Sequence, residues 1–165
     1  MNITIFTTGG TIDKVYFDAK GGYAVGKSMV DQILRDARIQ FSVDVVELMR
    51  KDSLEMTPED RSRVVSAVAA ATASHVVITH GTDTMVETGL ALQAVVGKTI
   101  VGKTIVLTGA LQPGRFADSD AAFNLGMAVA AAQTLPAGVY VAASGRIFAA
   151  DRVRKDPEAN RFVAL

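Results

Sequence analysis

At 165 residues, with 49% hydrophobic and 21% charged side chains, the chain is long enough to bury one sizeable core and has the composition of an ordinary globular protein. Its 17 basic residues balance 17 acidic ones, which removes the electrostatic case for nucleic acid or an anionic membrane surface as a partner. The lack of cysteine excludes a disulfide scaffold, a zinc–thiolate centre and a cysteine nucleophile, and no apolar stretch is long and uninterrupted enough to span a bilayer.

In chain order, the alternation in Asn2-Ile3-Thr4-Ile5-Phe6 predicts a first, buried strand over residues 2–8. No basic stretch followed by an apolar run precedes it, so no signal peptide is read and a cytoplasmic location is expected. The strand runs into Thr7-Thr8-Gly9-Gly10-Thr11-Ile12-Asp13. A threonine- and glycine-rich turn after a strand puts hydroxyls at the carboxyl edge of a sheet, where open α/β folds bind ligands. Gly9 and Gly10 let the backbone turn sharply and approach a small molecule, leaving the Thr11 hydroxyl free to act.

Residues 14–27 hold Gly21, Gly22 and Gly26 with little apolar periodicity and predict a mobile loop beside that turn. Ser28 is placed to cap a helix over about 29–37, with Met29, Ile33 and Leu34 as its stripe. Phe41-Ser42-Val43-Asp44-Val45 alternates as a second strand, continuing to about Leu48. Thr57-Pro58-Glu59-Asp60 combines a cap, proline at the first helical position and first-turn acids, and predicts a helix to about Ala73. His75-Val76-Val77-Ile78-Thr79 reads as a buried strand ending in a second hydroxyl-rich turn, His80-Gly81-Thr82-Asp83-Thr84-Met85. Thr82 or Asp83 is expected to open the next helix, through Met85, Leu90 and Leu92.

Val96-Gly97-Lys98-Thr99-Ile100 is repeated at once as Val101-Gly102-Lys103-Thr104-Ile105. Only one copy is needed to enter the strand at 105–108, and surface connections absorb such insertions at small entropic cost. The Gly-Lys-Thr within it lacks the rest of a phosphate-binding loop. Pro113-Gly114 marks a turn, and Asp118, Ser119 or Asp120 caps a helix containing Phe123, Leu125, Met127 and Val129. A fifth strand is predicted at 138–142, with a short added strand at 146–148. The run Asp151-Arg152-Val153-Arg154-Lys155-Asp156 reads by itself as solvated surface. Strands alternating with helices predict an α/β fold: an open, mostly parallel sheet of about five strands, helices on both faces, Rossmann- or flavodoxin-like, in a single domain over 1–165.

Thr8-Gly9-Gly10-Thr11-Ile12 and His80-Gly81-Thr82-Asp83-Thr84-Met85 together resemble the two signatures of the bacterial-type L-asparaginase family, TGGTI and HGTDTM, in order and spacing. The resemblance extends to Asp52-Ser53, Thr108-Gly109-Ala110, Phe123-Asn124-Leu125 and Lys155. It covers the family's larger N-terminal domain, and the smaller C-terminal domain of two-domain members is absent from these 165 residues. What it implies is an amidohydrolase that releases ammonia from L-asparagine, with weak glutaminase activity, through a threonine nucleophile and an acyl-enzyme. Thr11 is similar to the family's first threonine, taken as the nucleophile, with Tyr23 as its partner; Thr82, Asp83 and Lys155 are similar to the second threonine and its relay. Gly10, Asp52, Ser53, Gly81, Thr82 and Asp83 would surround the substrate, Ser53 on its α-carboxylate and Asp83 on its α-ammonium. Leu54 departs from the family, which places a glutamine or serine there, and implies weak affinity.

The residues agree with that chemistry. A threonine hydroxyl is a poor nucleophile without a base, for which Asp83, Lys155 and Tyr23 are candidates. Backbone N–H groups of glycine turns can polarise an amide carbonyl, and ammonia needs an acid to leave. No metal or cofactor is called for, and His75 and His80 lack ligand spacing. Thr7, Thr8 and Thr84 read as turn or cap hydroxyls, and His80 as a structural residue bonding backbone. Two other functions are open at this point: a catalytically degenerate small-molecule binding module, and the ammonia-releasing subunit of a tRNA-dependent amidotransferase. Neutral charge and the lack of an appended tRNA-binding region count against the second. A homo-oligomer, dimer or tetramer, is expected, with a small-molecule substrate and neither nucleic acid nor membrane as partner.

Overall fold

A computed structural model describes residues 2–17 and 21–165. Strand β1 (Asn2–Gly9) lies near the middle of a six-stranded sheet, because both its faces are apolar and need cover. After it a hairpin forms from β2 (Lys14–Phe17) and β3 (Gly22–Val25), then α1 (Val30–Asp36) and β4 (Ser42–Lys51). Helix α2 (Pro58–Ala70) leads to β5 (His75–Thr79), α3 (Met85–Gln93) to β6 (Thr104–Thr108), and α4 (Ala121–Thr134) to β7 (Gly138–Ala143). The chain closes on β8 (Arg146–Ala149), β9 (Val153–Asp156) and β10 (Arg161–Ala164).

The sheet runs β4-β1-β5-β6-β7-β8, parallel throughout except for the antiparallel edge strand β8. Ignoring the hairpin, this is the doubly wound order in which the first strand is flanked by the second and third. Helices cover both faces. Phe6, Ile78 and Leu107 point to the side of α2 and α3, against Val64, Val68, Met85 and Leu92. Ile5, Val77 and Val106 point to the side of α1 and α4, against Ile33, Leu34, Leu125 and Val129. The chain leaves β1 in one direction, to β4, and then returns across it to β5. The crevice between the carboxyl ends of β1 and β5 is therefore the topological switch point, where such sheets bind ligands.

Several elements differ from the sequence expectation. Residues 14–27 do not form a plain loop: Val15, Tyr16, Tyr23 and Val25 are strand formers that the glycines disguise, and they pair as a ribbon with Tyr16 opposite Tyr23. The tip of that predicted loop, residues 18–20, lies outside the described residues. Strand β4 runs three residues beyond the predicted Leu48, to Lys51, delivering Asp52 and Ser53 to the rim. Helix α2 starts with the expected cap, the Thr57 hydroxyl and the Asp60 carboxylate bonding each other's backbone N–H, but ends at Ala70 rather than Ala73. Helix α3 starts at Met85, so Thr82 and Asp83 precede it. Ser28 stands one residue before the Met29 cap of α1, with its Oγ accepting from the Val30 N–H at 3.2 Å. The first VGKTI copy does more than lengthen a connection, since its Ile100 is buried in the core; in the second, Lys103 donates to the carbonyls of Ala71 and Ala73, just past α2. The charged run at 151–156 is not plain surface: β9 pairs with β10, and the buried Val153 and Phe162 tie the pair to the core.

Candidate active site

Three backbone segments meet at the switch point without room for a side chain between them. A Cβ on Gly10 would lie 2.4 Å from the Gly81 nitrogen, and one on Gly81 would lie 2.6 Å from Ser53 Oγ. Gly10 also holds a φ of 84°, which L side chains avoid. This contact brings the turns after β1, β4 and β5 together, and Thr11 and Thr82 each follow a glycine of the Gly10–Gly81 pair. The Gly10 N–H is already bonded to the Lys51 carbonyl at 2.9 Å. It is not available to polarise a substrate carbonyl, so that donor must come from elsewhere in the turns.

Lys155 reaches this crevice from β9. Its Nζ donates to Thr82 Oγ1 at 2.8 Å and to the Asp83 carboxylate. The lysine side chain is 12% exposed and Asp83 49%, so the pair sits at the water boundary, anchored on the buried Thr82. An ammonium held by a carboxylate and bonded to a hydroxyl is an arrangement that moves protons to and from that hydroxyl.

The turn after β4 supplies Ser53. Asp52 caps it, accepting from the Leu54 N–H at 3.1 Å, and pairs with Lys14 at 2.9 Å. Partial burial alone would raise the Asp52 pKa, but the bond from Lys14, the bond from Leu54 N–H and the lysine charge hold it below the usual carboxylate value. Thr84 fixes the turn from the other side, donating to the Ser53 carbonyl at 2.7 Å. Ser53 Oγ is buried and has no hydrogen-bond partner among the described residues. A buried hydroxyl left unpaired is costly, and here it faces the glycine contact that forms the floor of the crevice.

Tyr23 stands apart from this cluster. It is 54% exposed, packs its ring at a tilt against Tyr16 with centroids 5.5 Å apart, and lines a groove of about 570 Å³ with Lys14, Asp52 and Leu54. Leu54 is 71% exposed and offers that groove an apolar surface. The structure thus brings Gly10, Ser53, Gly81, Thr82, Asp83 and Lys155 together, with Thr11 next to Gly10, Asp52 supporting the Ser53 turn, and Tyr23 on the neighbouring hairpin.

His80 is structural, as its position before Gly81 suggested. Its Nδ1–H donates to the Gly81 carbonyl at 2.7 Å, which leaves Nε2 to accept from the Thr88 hydroxyl at 2.8 Å. Burial pushes its pKa down from 6.5 to about 4, aided by the Arg61 charge and opposed by the bond to Gly81. Thr8 likewise bonds backbone, donating to the Thr79 carbonyl. Sequence reasoning missed Asp13, a buried carboxylate two residues past Thr11. Its Oδ1 accepts from the Met29 N–H at 2.9 Å, and burial raises its pKa from 3.8 to about 6 against the bonds from Met29 and Ser28. An acid following an isoleucine in a turn is too common a pattern to single out.

Among the described residues no group of three or more His, Cys, Asp or Glu side chains is arranged to hold a metal ion, and no helix is long and apolar enough to cross a membrane.

Comparison with known proteins places this geometry among relatives. The family model for the asparaginase N-terminal domain matches residues 2–164. An L-asparaginase of Thermococcus kodakarensis is 33% identical over 161 residues, covering 94% of this chain and 48% of the relative. A glutaminase-asparaginase of Acinetobacter glutaminasificans is 32% identical over 166 residues, covering 93% and 49%. The crystal structure of L-asparaginase I from Vibrio cholerae superimposes with a TM-score of 0.85 at 28% identity, covering 99% of this chain and 51% of that one. The chain spans about half the length of the relatives it matches.

Proposed function

Because the chain belongs to the asparaginase family, matching its N-terminal domain over residues 2–164, we propose that it hydrolyses the side-chain amide of L-asparagine to L-aspartate and ammonia, with L-glutamine as a weaker substrate. The observation that carries this reading is the Lys155 ammonium bonded to both Thr82 and Asp83 at the switch-point crevice, beside the turn bearing Thr11. On this reading Thr11 attacks the amide carbon and gives up its proton, with Tyr23 as the acceptor across the hairpin. The carbon–nitrogen bond breaks as the leaving nitrogen takes from Tyr23 the proton that Thr11 gave up, ammonia departs, and an aspartyl ester remains on Thr11. Water attacks that ester, its proton passes to the Thr82–Lys155–Asp83 relay and on to the Thr11 oxygen as the ester bond breaks, and the Thr11 hydroxyl is restored as aspartate is released.

Ser53 donates its unpaired hydroxyl to the α-carboxylate, Asp83 faces the α-ammonium, and the Gly10–Gly81 contact lets the substrate lie against backbone. Asp52 holds the Ser53 turn in place. Residues 1–165 supply this catalytic unit without metal or cofactor. The exposed Leu54 gives the substrate no hydrogen bond, so saturation needs high asparagine concentrations. Self-association into a dimer or tetramer belongs to the same reading, supported by the exposed Phe123 and Ile147. Light scattering at assay concentration tests it, and a monomer would remove it.

Ammonia release from both amides over a wide concentration range, with and without chelator, tests the function. Thr11→Ala and Thr82→Ala should each reduce turnover by orders of magnitude with the fold intact. Aspartate binding without ammonia release would favour the degenerate binding module instead. Activity lost to chelator and restored by metal would overturn the chemistry.

A further inference from the structure

Asp13 is buried beside the Thr11 turn, yet no step above uses it. The β2–β3 hairpin leaves the turn at Lys14 and comes back at Val25, and Asp13 bonds both feet. Its N–H donates to the Gly10 carbonyl at 3.1 Å, and its own carbonyl accepts from the Gly26 N–H at 2.8 Å. Its carboxylate accepts from the Met29 N–H at 2.9 Å and from the Ser28 hydroxyl, just ahead of α1. One residue therefore joins the Thr11 turn, the returning limb of the hairpin and the entry to α1. The charged groups facing it are Arg115, from the loop after β6, and Glu47, from β4. Arg115 closes the same junction, donating to the Lys27 carbonyl at 3.2 Å.

We propose that Asp13 is a positioning residue, whose main chain and carboxylate together clasp the β2–β3 hairpin to the Thr11 turn and so hold Tyr23 and Thr11 in working register. An ionised carboxylate is the stronger acceptor for the Met29 and Ser28 donors, but the cost of burying its charge exceeds what those bonds return. Burial raises its pKa from 3.8 to about 6, so the closed clasp holds a proton more tightly than an opened one would, and the clasp loosens as pH rises through about 6. Tyr16 and Tyr23 are both exposed on the hairpin, and a two-stranded ribbon of this size is barely stable unaided, so its seat depends on its feet.

The kinetic part rests on the asparaginase reading; the structural part does not. Asp13→Asn keeps the volume and an acceptor oxygen but loses the charge, and Asp13→Ala loses both. Amide exchange in residues 14–17 and 21–25 should quicken at least about tenfold in Asp13→Ala and by less in Asp13→Asn, with β5 and β6 unchanged. For Asp13→Asn, kcat for ammonia release should fall roughly 10–100-fold with KM nearly constant, since small misplacements of reacting groups are costly. Hairpin exchange and kcat both equal to wild type in Asp13→Asn would overturn the proposal, as would a rise in KM alone. If Asp13→Ala fails to fold, Asp13→Asn decides. If the wild type releases no ammonia, the asparaginase reading fails, while hairpin exchange still decides the clasp.

Discussion

Acidifying the protein from pH 6.5 towards 4 titrates two buried groups whose effects on stability run in opposite directions. Asp13 has a folded pKa raised from 3.8 to about 6, so the folded state holds its proton more tightly than the unfolded chain does. Its contribution is fully present below pH 3.8 and is lost as pH rises through about 6. The shift spans about two pH units at about 1.4 kcal/mol each, or roughly 3 kcal/mol. His80 is depressed from 6.5 to about 4, so its contribution is present above pH 6.5 and is lost as pH falls through about 4. That loss is also roughly 3 kcal/mol. Between pH 4 and 6.5 the two nearly cancel in the wild type. Asp13→Asn should leave His80 unopposed, so that the variant loses about 3 kcal/mol relative to wild type on acidification. His80→Gln should do the reverse, destabilised overall but gaining about 3 kcal/mol relative to wild type over the same interval. Urea unfolding followed by circular dichroism at half-unit pH steps measures both slopes. Reading each as a difference from wild type removes the partly exposed carboxylates Asp52 and Asp60. If both variants track the wild-type slope, these burial arguments are wrong.

Lys155→Met keeps the side chain's bulk but removes both donors, and turnover should fall about 10²–10⁴-fold. Its stability should drop by only about 1 kcal/mol, because the half-exposed Asp83 is screened by water; turnover within fivefold of wild type would remove Lys155 from the relay. Ser53→Ala deletes a buried hydroxyl with no partner among the described residues, so urea unfolding should show stability unchanged or raised by up to about 1 kcal/mol, while KM rises about tenfold. An unchanged KM would take Ser53 off the substrate. Gly10→Ala forces a Cβ to 2.4 Å from the Gly81 nitrogen at a φ of 84°, and should cost roughly 2 kcal/mol or more along with activity. A soluble, active, equally stable variant would mean that the two turns are not in contact.

The centre of the sheet was legible because strands β5 and β6 are buried on both faces. Val76-Val77-Ile78 and Ile105-Val106-Leu107 must be apolar continuously, and so announce themselves. The small ribbons were not legible, for the opposite reason. The β2–β3 pair is half-exposed and its glycines resemble loop, while β10 is four residues after a polar turn at 157–160, too short for its alternation to stand out from a polar tail. The start of α3 was misjudged because Thr82 and Asp83 look like caps. Their side chains are instead engaged by Lys155, 73 residues further on, and no local pattern reports such a contact. The two signature turns were legible as strand ends that meet at the switch point, since each follows a buried strand. Asp13 carried no signal, because its role comes from burial against residues 26–30.

The supports of the site differ in kind. Ser53, Gly81 and Thr82 follow strands of the main sheet, and their turns lock together by backbone contact. Lys155 arrives on a two-stranded ribbon, but that ribbon is pinned by Val153 and Phe162 inside the same core cluster as Phe6 and Leu107. It therefore belongs to the rigid half, and its bond to Thr82 exists before any substrate arrives. Tyr23 rides on the other ribbon, whose Tyr16–Tyr23 contact is exposed and whose hold on the body is at its feet and through the Lys14–Asp52 pair. Both carboxylates of that hold, Asp13 and Asp52, lie next to residues assigned to the reaction, Ile12 apart in one case and adjacent to Ser53 in the other. On the proposed reaction, ground-state binding falls to the sheet, whereas bringing Tyr23 to Thr11 falls to an element that can be unseated without disturbing the core. Damage to the hairpin's feet should accordingly appear in kcat, and damage to the sheet turns in KM and folding together.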